Sequence, residues 1–311
     1  MKKNILVIGS DSFVGSRVVQ ALEFSDWATA IPAAQASNLS AKMLANVTGM
    51  VNCTSGSPTG ILSGTQRLYE AANGSDKIQR IVHLSSMTAY GSVDQEVNED
   101  TPLLANLGAY GAAHIRAEEI ANLYPNTVTL RPGCEYGPGC AHWSEKIARL
   151  LQAHRLGDLG VMGDGFCNLI YIDDLVKTIL VALRFPNLGG EKFNLSMPSP
   201  PTWNEYLIKF GIALGAVPVR RITARHLKLE AKLFALPLKA AEIVSNRFDI
   251  GASHSVPPIT SSFLRLCGQR IRLDSSKAER LLGLSCTSLD VGLKNSAAAI
   301  FENSLVGSKH K

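Results

Sequence analysis

The chain has 311 residues, of which 46% are hydrophobic and 18% are charged, and its formal net charge is +5. This length and composition are typical of a folded protein with a large buried core, and they exclude an intrinsically disordered chain. The positive charge is small and spread along the sequence, so no nucleic-acid partner is predicted.

The sequence indicates neither a membrane span nor a metal site. No apolar run approaches the roughly 18 residues that a membrane-spanning helix needs. The six cysteines form no CxxC pair and no Cys/His cluster with zinc spacing, so no metal is predicted. Free thiols of this kind are typical of a reducing compartment, and we predict a cytoplasmic location.

The first part of the chain alternates strand-like apolar runs with helical stretches. Strands are predicted at 5–8, 50–53, 81–84 and 128–130, and helices between them at 14–22, 65–72 and 115–123. Such alternation predicts an α/β fold, a Rossmann-type doubly wound parallel sheet. We place this dinucleotide-binding domain, with its catalytic residues, at 1–185.

Helical stretches dominate after about residue 186, chiefly at 203–214, 228–246 and 275–282. They predict a smaller, mostly helical C-terminal substrate or lid lobe over 186–303, followed by a flexible tail at 304–311. The segment 228–247 is apolar on one side and basic on the other, which leaves a lid and a peripheral membrane contact both open. A homodimer is also left open.

A glycine-containing turn, GSDSFVG, joins the first strand to the first helix. Glycines in such a turn allow the backbone to approach a pyrophosphate at the helix N-terminus. The segment therefore predicts a phosphate-binding loop. The residues assigned to cofactor binding here are Gly9, Ser12, Phe13, Val14, Gly15 and Arg17, although Arg17 could equally be an ordinary exposed arginine.

Several later segments follow in a fixed order: HLSSMTAYG at 83–91, YGAAH at 110–114, LRPGCEYGPG at 130–139, YIDDL at 171–175 and DSSKA at 274–278. With the glycine loop, they make the chain resemble the extended short-chain dehydrogenase/reductase, or NAD-dependent epimerase/dehydratase, family. The segment 257–274 is closest to the family's 3β-hydroxysteroid dehydrogenase-like branch. The resemblance covers nearly the whole chain.

The resemblance implies three catalytic residues. Tyr110 would transfer the proton and Ser86 would polarise the substrate carbonyl. Where the family has a lysine that lowers the tyrosine pKa, this chain has His114. The i, i+4 spacing keeps His114 on the helix face of Tyr110, but a histidine is shorter and largely uncharged near neutral pH. Two hypotheses follow, a working catalyst with an altered pH profile and a cofactor-binding module without turnover.

The resemblance also implies further binding residues. Those assigned to the cofactor, beyond the glycine loop, are Cys53, Thr54, Ser85, Tyr110, His114, Pro132 and Gly133. Those assigned to the substrate are Ser86, Met87, Thr88, Cys134 and Tyr136.

The cofactor and the small-molecule substrate are less closely defined. NAD enzymes usually have an acid at the end of the second strand, and residues 27–35 contain none, so the cofactor is NADP or NAD with NADP favoured. Cys134 replaces the asparagine typical of the nucleotide-sugar branch, and no RPGD element occurs. We therefore predict hydride transfer between a nicotinamide and a non-nucleotide ketone or secondary alcohol. The alternative is a sugar-nucleotide epimerase or dehydratase.

Overall fold

A computed structural model describes residues 2–39, 41–73, 77–233 and 257–308 of the chain. The chain forms two compact units that interleave along the sequence. The first comprises Met1–Glu135, Leu169–Pro198 and Leu273–Cys286, and the second comprises Tyr136–Asn168, Ser199–Arg272 and Thr287–Lys311.

The first unit is built on a parallel sheet of six strands in the order β2-β1-β3-β4-β6-β9. Its strands are β1 Lys3–Ile8, β2 Ala28–Ala33, β3 Gly49–Asn52, β4 Arg80–Leu84, β6 Thr127–Pro132 and β9 Lys192–Leu195. The strand order reverses beside β1, because β2 lies on one side of it and β3 on the other. In open α/β sheets, ligands bind outside the carboxyl ends of the strands at such a switch point.

Helices cover both faces of this sheet. They are α1 Phe13–Glu23, α2 Ala41–Leu44, α3 Pro58–Asn73, α4 Ala109–Ala121, α6 Ile172–Arg184 and α10 Ser276–Leu282. Successive strand residues point to opposite faces. Ile5 and Val7 therefore pack with residues of α1 and α6, namely Val14, Val18, Leu175 and Ile179. Leu6 and Ile8 pack on the other face with Leu68, Tyr69 and Ala121.

The second unit is mainly helical in its described part. Its helices are α5 Lys146–Gln152, α7 Trp203–Ala213, α8 Ala224–Leu233, α9 Ser261–Cys267 and α11 Leu289–Ser308. Thr202 and Glu205 form a reciprocal capping box that fixes the start of α7. Three aromatic rings, Trp143, Trp203 and Phe263, lie within 6.5 Å of one another by their centroids.

The remaining short strands are β5 Glu96–Val97, β7 Cys134–Tyr136, β8 Leu169–Tyr171 and β10 Arg272–Leu273. No helix in the described ranges is long and apolar enough to cross a membrane.

The predicted Rossmann-type sheet is confirmed, but the chain divides differently from the predicted boundary at residue 185. The sixth strand, β9, lies beyond that boundary, and the segment 273–286 returns to the first unit. Ser275 there accepts a hydrogen bond from the Ser196 backbone N–H at 2.9 Å, and Lys277 lies over the Phe193 ring at 5.0 Å. Helix α11 includes residues 304–308, where a flexible tail is predicted. Most of the amphipathic segment 228–247 lies outside the described residues.

Candidate active site

The loop after β1 is wound tightly around its glycines. Gly9 has a φ of 74°, and a Cβ on it would lie 2.5 Å from the Cys53 carbonyl oxygen. A Cβ on Gly15 would lie 2.0 Å from the Gly9 carbonyl oxygen. Ser12 caps α1 by accepting a hydrogen bond from the Gly15 backbone N–H at 3.0 Å. Gly15 is thus required by the loop itself, and not only by the space that a pyrophosphate would need.

An open cleft of about 540 Å³ lies beside this loop. That volume is within the usual range for small-molecule and cofactor sites. Three residues predicted for the cofactor, Gly9, Ser12 and Thr54, line it. The others come from the loop, the chain after β2, the chain after β3 and one face of α3: Asp11, Ala34, Gln35, Ala36, Ser37, Ser55, Gly60, Ser63, Gly64 and Arg67.

A buried amide holds Thr54 at the cleft. The Asn52 Oδ1 accepts from the Thr54 backbone N–H at 3.1 Å and from its hydroxyl at 2.6 Å. The Asn52 Nδ2 donates to the Thr65 hydroxyl at 3.2 Å and to His83 Nδ1 at 3.1 Å. Burial lowers the pKa of His83 to about 4, so this ring accepts the amide proton as a neutral group. The buried His83 thereby acts as a structural support for Thr54.

Ser86 and Tyr110 come from two segments that touch each other. The Ser86 hydroxyl accepts hydrogen bonds from the Thr88 backbone N–H at 3.2 Å and from the Thr88 hydroxyl at 3.0 Å. Gly111, in the first turn of α4, lies so close to this turn that a Cβ would be 2.7 Å from the Thr88 carbonyl oxygen. The close approach sets the start of α4, and with it Tyr110, against the turn that carries Ser86.

Tyr110 and His114 are neighbours along α4. Their ring centroids are 4.7 Å apart with the rings edge-on at 72°. The Tyr110 side chain is 42% exposed, whereas His114 is only 3% exposed. Neither ring nitrogen of His114 has a hydrogen-bond partner among the described residues. Any charge on His114 would therefore be held in a site that offers it little solvation.

Desolvation shifts the pKa values of both groups. Desolvation lowers the pKa of His114 to about 4, against the opposing charge of Glu118. Desolvation of the Tyr110 hydroxyl, and then the negative charge of Glu135, raise its pKa to about 12. At neutral pH the histidine is therefore uncharged and the tyrosine keeps its proton. Burial also raises the pKa of the Glu135 carboxyl to about 7.

A buried ion pair, missed by the sequence analysis, lies one turn beyond His114. Arg131 donates to Glu118 from Nε at 2.9 Å and from Nη2 at 2.7 Å. The Ser85 hydroxyl donates to the same carboxylate at 2.5 Å. Arg131 also donates to the Tyr90 hydroxyl at 2.7 Å, which donates in turn to Asn194 Oδ1 at 2.7 Å.

Other residues predicted for the site do not line the cleft. Val14 lies in the core with Phe13 packed on it, and Arg17 does not line the cleft. Ser85 is engaged by Glu118, so its hydroxyl is already in use. The remaining predicted residues with buried positions are Cys53, Met87, Pro132, Cys134 and Tyr136, and Tyr136 belongs to the second unit. Gly133 follows β6 and donates its N–H to the Leu195 carbonyl at 2.9 Å.

The part of the chain that carries Ser86, Tyr110, His114 and Glu118 also has a recognisable sequence profile. Residues 59–196 match the NAD dependent epimerase/dehydratase family. This match confirms the resemblance to the NAD-dependent epimerase/dehydratase family that the motifs indicate. The closer likeness to the 3β-hydroxysteroid dehydrogenase branch is not confirmed. No curated protein sequence matches the chain.

Solved structures with this fold include several nucleotide-sugar enzymes. The UDP-glucuronic acid 4-epimerase of Bacillus cereus, in complex with NAD, is 20% identical, with 96% of this chain and 99% of that chain covered and a TM-score of 0.71. The UDP-N-acetylglucosamine 4-epimerase of Bacillus cereus is 18% identical, with 96% and 99% covered and a TM-score of 0.67. A short-chain dehydrogenase/reductase superfamily protein of Agrobacterium tumefaciens with bound NAD is 19% identical, with 99% and 100% covered and a TM-score of 0.67.

Proposed function

We propose that this chain, whose residues 59–196 match the epimerase/dehydratase family, is a nicotinamide-dinucleotide-dependent enzyme that transfers hydride to or from a carbon of a nucleotide-sugar. The observation that carries the proposal is the contact between the Ser86 turn and the first turn of α4. It sets Ser86 and Tyr110 at the carboxyl edge of the sheet, the edge at which the cofactor cleft lies. The nucleotide-sugar epimerases among the structural neighbours favour this substrate class over the ketone or alcohol of the sequence-based prediction.

The glycine loop and the cleft fit a dinucleotide. Gly9 and Gly15 leave no room for a Cβ, and Ser12 and Thr54 line the cleft beside the N-terminus of α1. The bound dinucleotide would supply or accept the hydride. The missing acid at the end of β2 favours its 2′-phosphorylated form, NADP.

Ser86 and Tyr110 would have complementary roles at the substrate oxygen. Because the Ser86 hydroxyl accepts from Thr88, its own proton is available for a substrate oxygen. Tyr110, with its pKa raised to about 12, is a proton donor at neutral pH and a poor acceptor. At neutral pH Tyr110 is therefore in the protonated form that carbonyl reduction uses, and the deprotonated form that alcohol oxidation needs is scarce.

A second candidate function is supported by the state of His114. A histidine that is buried and uncharged cannot lower the pKa of Tyr110 by charge attraction. A protein that binds the dinucleotide and turns over little, serving as a sensor or partner subunit, would have this site. The two candidates differ in whether substrate is converted, and not in whether cofactor is bound.

Ligand-induced stabilisation tests the substrate class. With saturating NADP⁺ present, UDP-glucose or UDP-glucuronic acid at about 100 times its Kd is expected to raise Tm by roughly 5 °C. Free UDP and a panel of steroid and aliphatic ketones are the comparison ligands. Stabilisation by a ketone alone would restore the non-nucleotide substrate. Stabilisation by the dinucleotide and by nothing else would favour the binding module.

A further inference from the structure

The charge of the chain is divided unevenly between its two units. Of the 31 Lys and Arg and the 26 Asp and Glu residues, the first unit contains 14 and 17, a net charge of −3. The second unit contains the other 17 and 9, a net charge of +8. A charge asymmetry of this size is typical of a protein that meets an acidic partner through its positive part. Such a partner would therefore bind the second unit.

Two of the arginines in the second unit lie on a segment that packs against the turn carrying Val161. The Asp158 backbone N–H donates to the Arg220 carbonyl at 3.0 Å. A Cβ on Gly160 would lie 3.0 Å from Arg221 Nη2. Val161, the next residue, is 83% exposed, and the side chains of both arginines are exposed as well. A guanidinium and an aliphatic side chain thus share this part of the surface.

Helix α8 directs a second pair of such side chains outward. Its inner face is held by Leu227, which is fully buried, and by Glu230, which accepts a hydrogen bond from Arg155 Nε at 2.8 Å. Arg225 and Leu229 are one turn apart on the other side of the helix, and both are exposed, Leu229 by 53%. The helix therefore presents a cation and an aliphatic side chain together.

The three arginines are available to bind an anion. Neither Arg220 nor Arg225 forms a side-chain hydrogen bond or ion pair with any residue that the structure describes. Arg221 Nε lies 3.5 Å from Asp158 Oδ2, but the arginine side chain is 72% exposed. Because water and salt screen such a pair, it competes weakly with an external anion.

Arginines mixed with exposed aliphatic side chains fit the surface of an anionic lipid bilayer. Guanidinium groups bind phosphate and carboxylate oxygens through paired N–H donors. Aliphatic side chains beside them enter the headgroup region and add to the charge attraction. A nucleic acid would use the same charges, but Val161, Leu229 and the 58% exposed Val217 would gain no apolar contact from its phosphates.

We propose that the second unit docks on an anionic lipid surface through a basic–aliphatic patch. The patch consists of Arg220, Arg221, Arg225, Val161, Val217 and Leu229. It lies largely outside the amphipathic segment 228–247, for which the sequence leaves a membrane contact open. Docking of this kind does not depend on the reaction that the first unit catalyses.

Vesicle co-sedimentation of the whole protein tests the patch. Vesicles of phosphatidylcholine alone are compared with vesicles containing about one third phosphatidylserine, in about 0.1 M salt. The wild type is expected to bind the phosphatidylserine vesicles at least about 10-fold more tightly, and to lose this preference in about 1 M salt. Arg220→Gln/Arg225→Gln is expected to bind them about 10- to 30-fold more weakly, the usual contribution of two basic residues near an anionic surface.

Arg116→Gln/Arg280→Gln is the matched control, because it removes two exposed arginines from the first unit. It should bind the vesicles as the wild type does, and all variants should keep the wild-type Tm. Equal binding of the wild type to both kinds of vesicle, or an equal loss in the two double variants, would overturn the proposal.

Leu229→Gln separates a bilayer from a nucleic acid as the partner. It is expected to weaken vesicle binding by about fivefold, because a half-exposed leucine loses its contact with the headgroup region. Binding of a single-stranded oligonucleotide to the wild type should be weaker than binding of the phosphatidylserine vesicles. Tighter oligonucleotide binding that is lost in Arg220→Gln/Arg225→Gln and kept in Leu229→Gln would assign the arginines to a nucleic acid and overturn the lipid surface.

Discussion

Tyr110→Phe is expected to lower turnover by a factor on the order of 10² to 10⁴, the usual contribution of a positioned acid–base group. Only the hydroxyl is removed, and the ring that lies edge-on to His114 at 4.7 Å is retained. Cofactor affinity should therefore stay close to that of the wild type. The measurement is the steady-state rate of NAD(P)H formation or consumption with the nucleotide-sugar that gives the largest Tm shift, together with a cofactor titration.

Tyr124→Phe is the control for this variant. Tyr124 lies shortly after α4 and packs on Tyr69, with ring centroids 4.6 Å apart. Its loss of a hydroxyl should leave turnover within about twofold of the wild type, because no substrate role is assigned to it. Unchanged turnover in Tyr110→Phe would refute the assignment of Tyr110 as the proton donor.

Glu118→Gln is expected to destabilise the protein by about 3–5 kcal/mol, because it leaves the buried Arg131 guanidinium without its carboxylate. Both side chains are almost fully buried, at 3% and 2% exposed, and their closest oxygen–nitrogen distance is 2.7 Å. Burial alone would raise the pKa of Glu118, but the hydrogen bonds and charge of Arg131, with the Ser85 hydroxyl, outweigh it and hold the pKa below its usual value. Urea unfolding with an unchanged m-value would measure the loss.

Glu119→Gln, one residue further along α4, provides the matched control. Glu119 pairs with Arg116 at 2.9 Å, but their side chains are 55% and 71% exposed. Such an exposed pair contributes about 0–1 kcal/mol. Equal losses in the two variants would show that the Glu118–Arg131 pair does not support the fold as described.

The buried pair also makes stability depend on pH. A carboxyl whose pKa is lower in the folded protein stabilises it above the pKa of the unfolded chain, about 4.3 for glutamate. That contribution is lost as the pH falls through the lower, folded pKa. The wild type should therefore lose stability below about pH 4 more steeply than Glu118→Gln.

The sheet was largely predictable because its strands carry local signals. Runs such as Ile5–Ile8 and Ile81–Leu84 are buried on both faces of the sheet. Such a run can be recognised in the sequence without knowing which strands lie beside it. β9 gave no such signal, since KFNL is short and half polar and becomes a strand only through pairing with β6. Helix α11 was missed because its glycine, serine and asparagine residues mask its helical periodicity.

Residues of the site could be predicted from the sequence only where they lie in a recognisable motif. Gly9, Ser12, Ser86, Tyr110 and His114 each lie in a segment with a recognisable order of residues. The Glu118–Arg131 pair could not be found in this way, because its two residues meet only when α4 packs across β6. The face of α3 that carries Gly60, Gly64 and Arg67 has helical spacing, but spacing alone does not show that a cleft lies beside it.

The central claim is that Tyr110 transfers the proton without help from a charged neighbour, and the pH dependence of alcohol oxidation in the wild type and in His114→Lys tests it most directly. With the pKa of Tyr110 at about 12 and that of His114 at about 4, the wild-type rate should rise from pH 6 to pH 10 and should not fall near 6.5. The rise should be shallower around pH 7, where Glu135 ionises and its charge raises the pKa of Tyr110. A lysine one turn from Tyr110 would lower the tyrosine pKa by charge attraction, so His114→Lys should be faster at neutral pH. A wild-type rate that falls as the pH rises through about 6.5, the usual pKa of a histidine, would contradict the account, because it would show that His114 acts in its charged form.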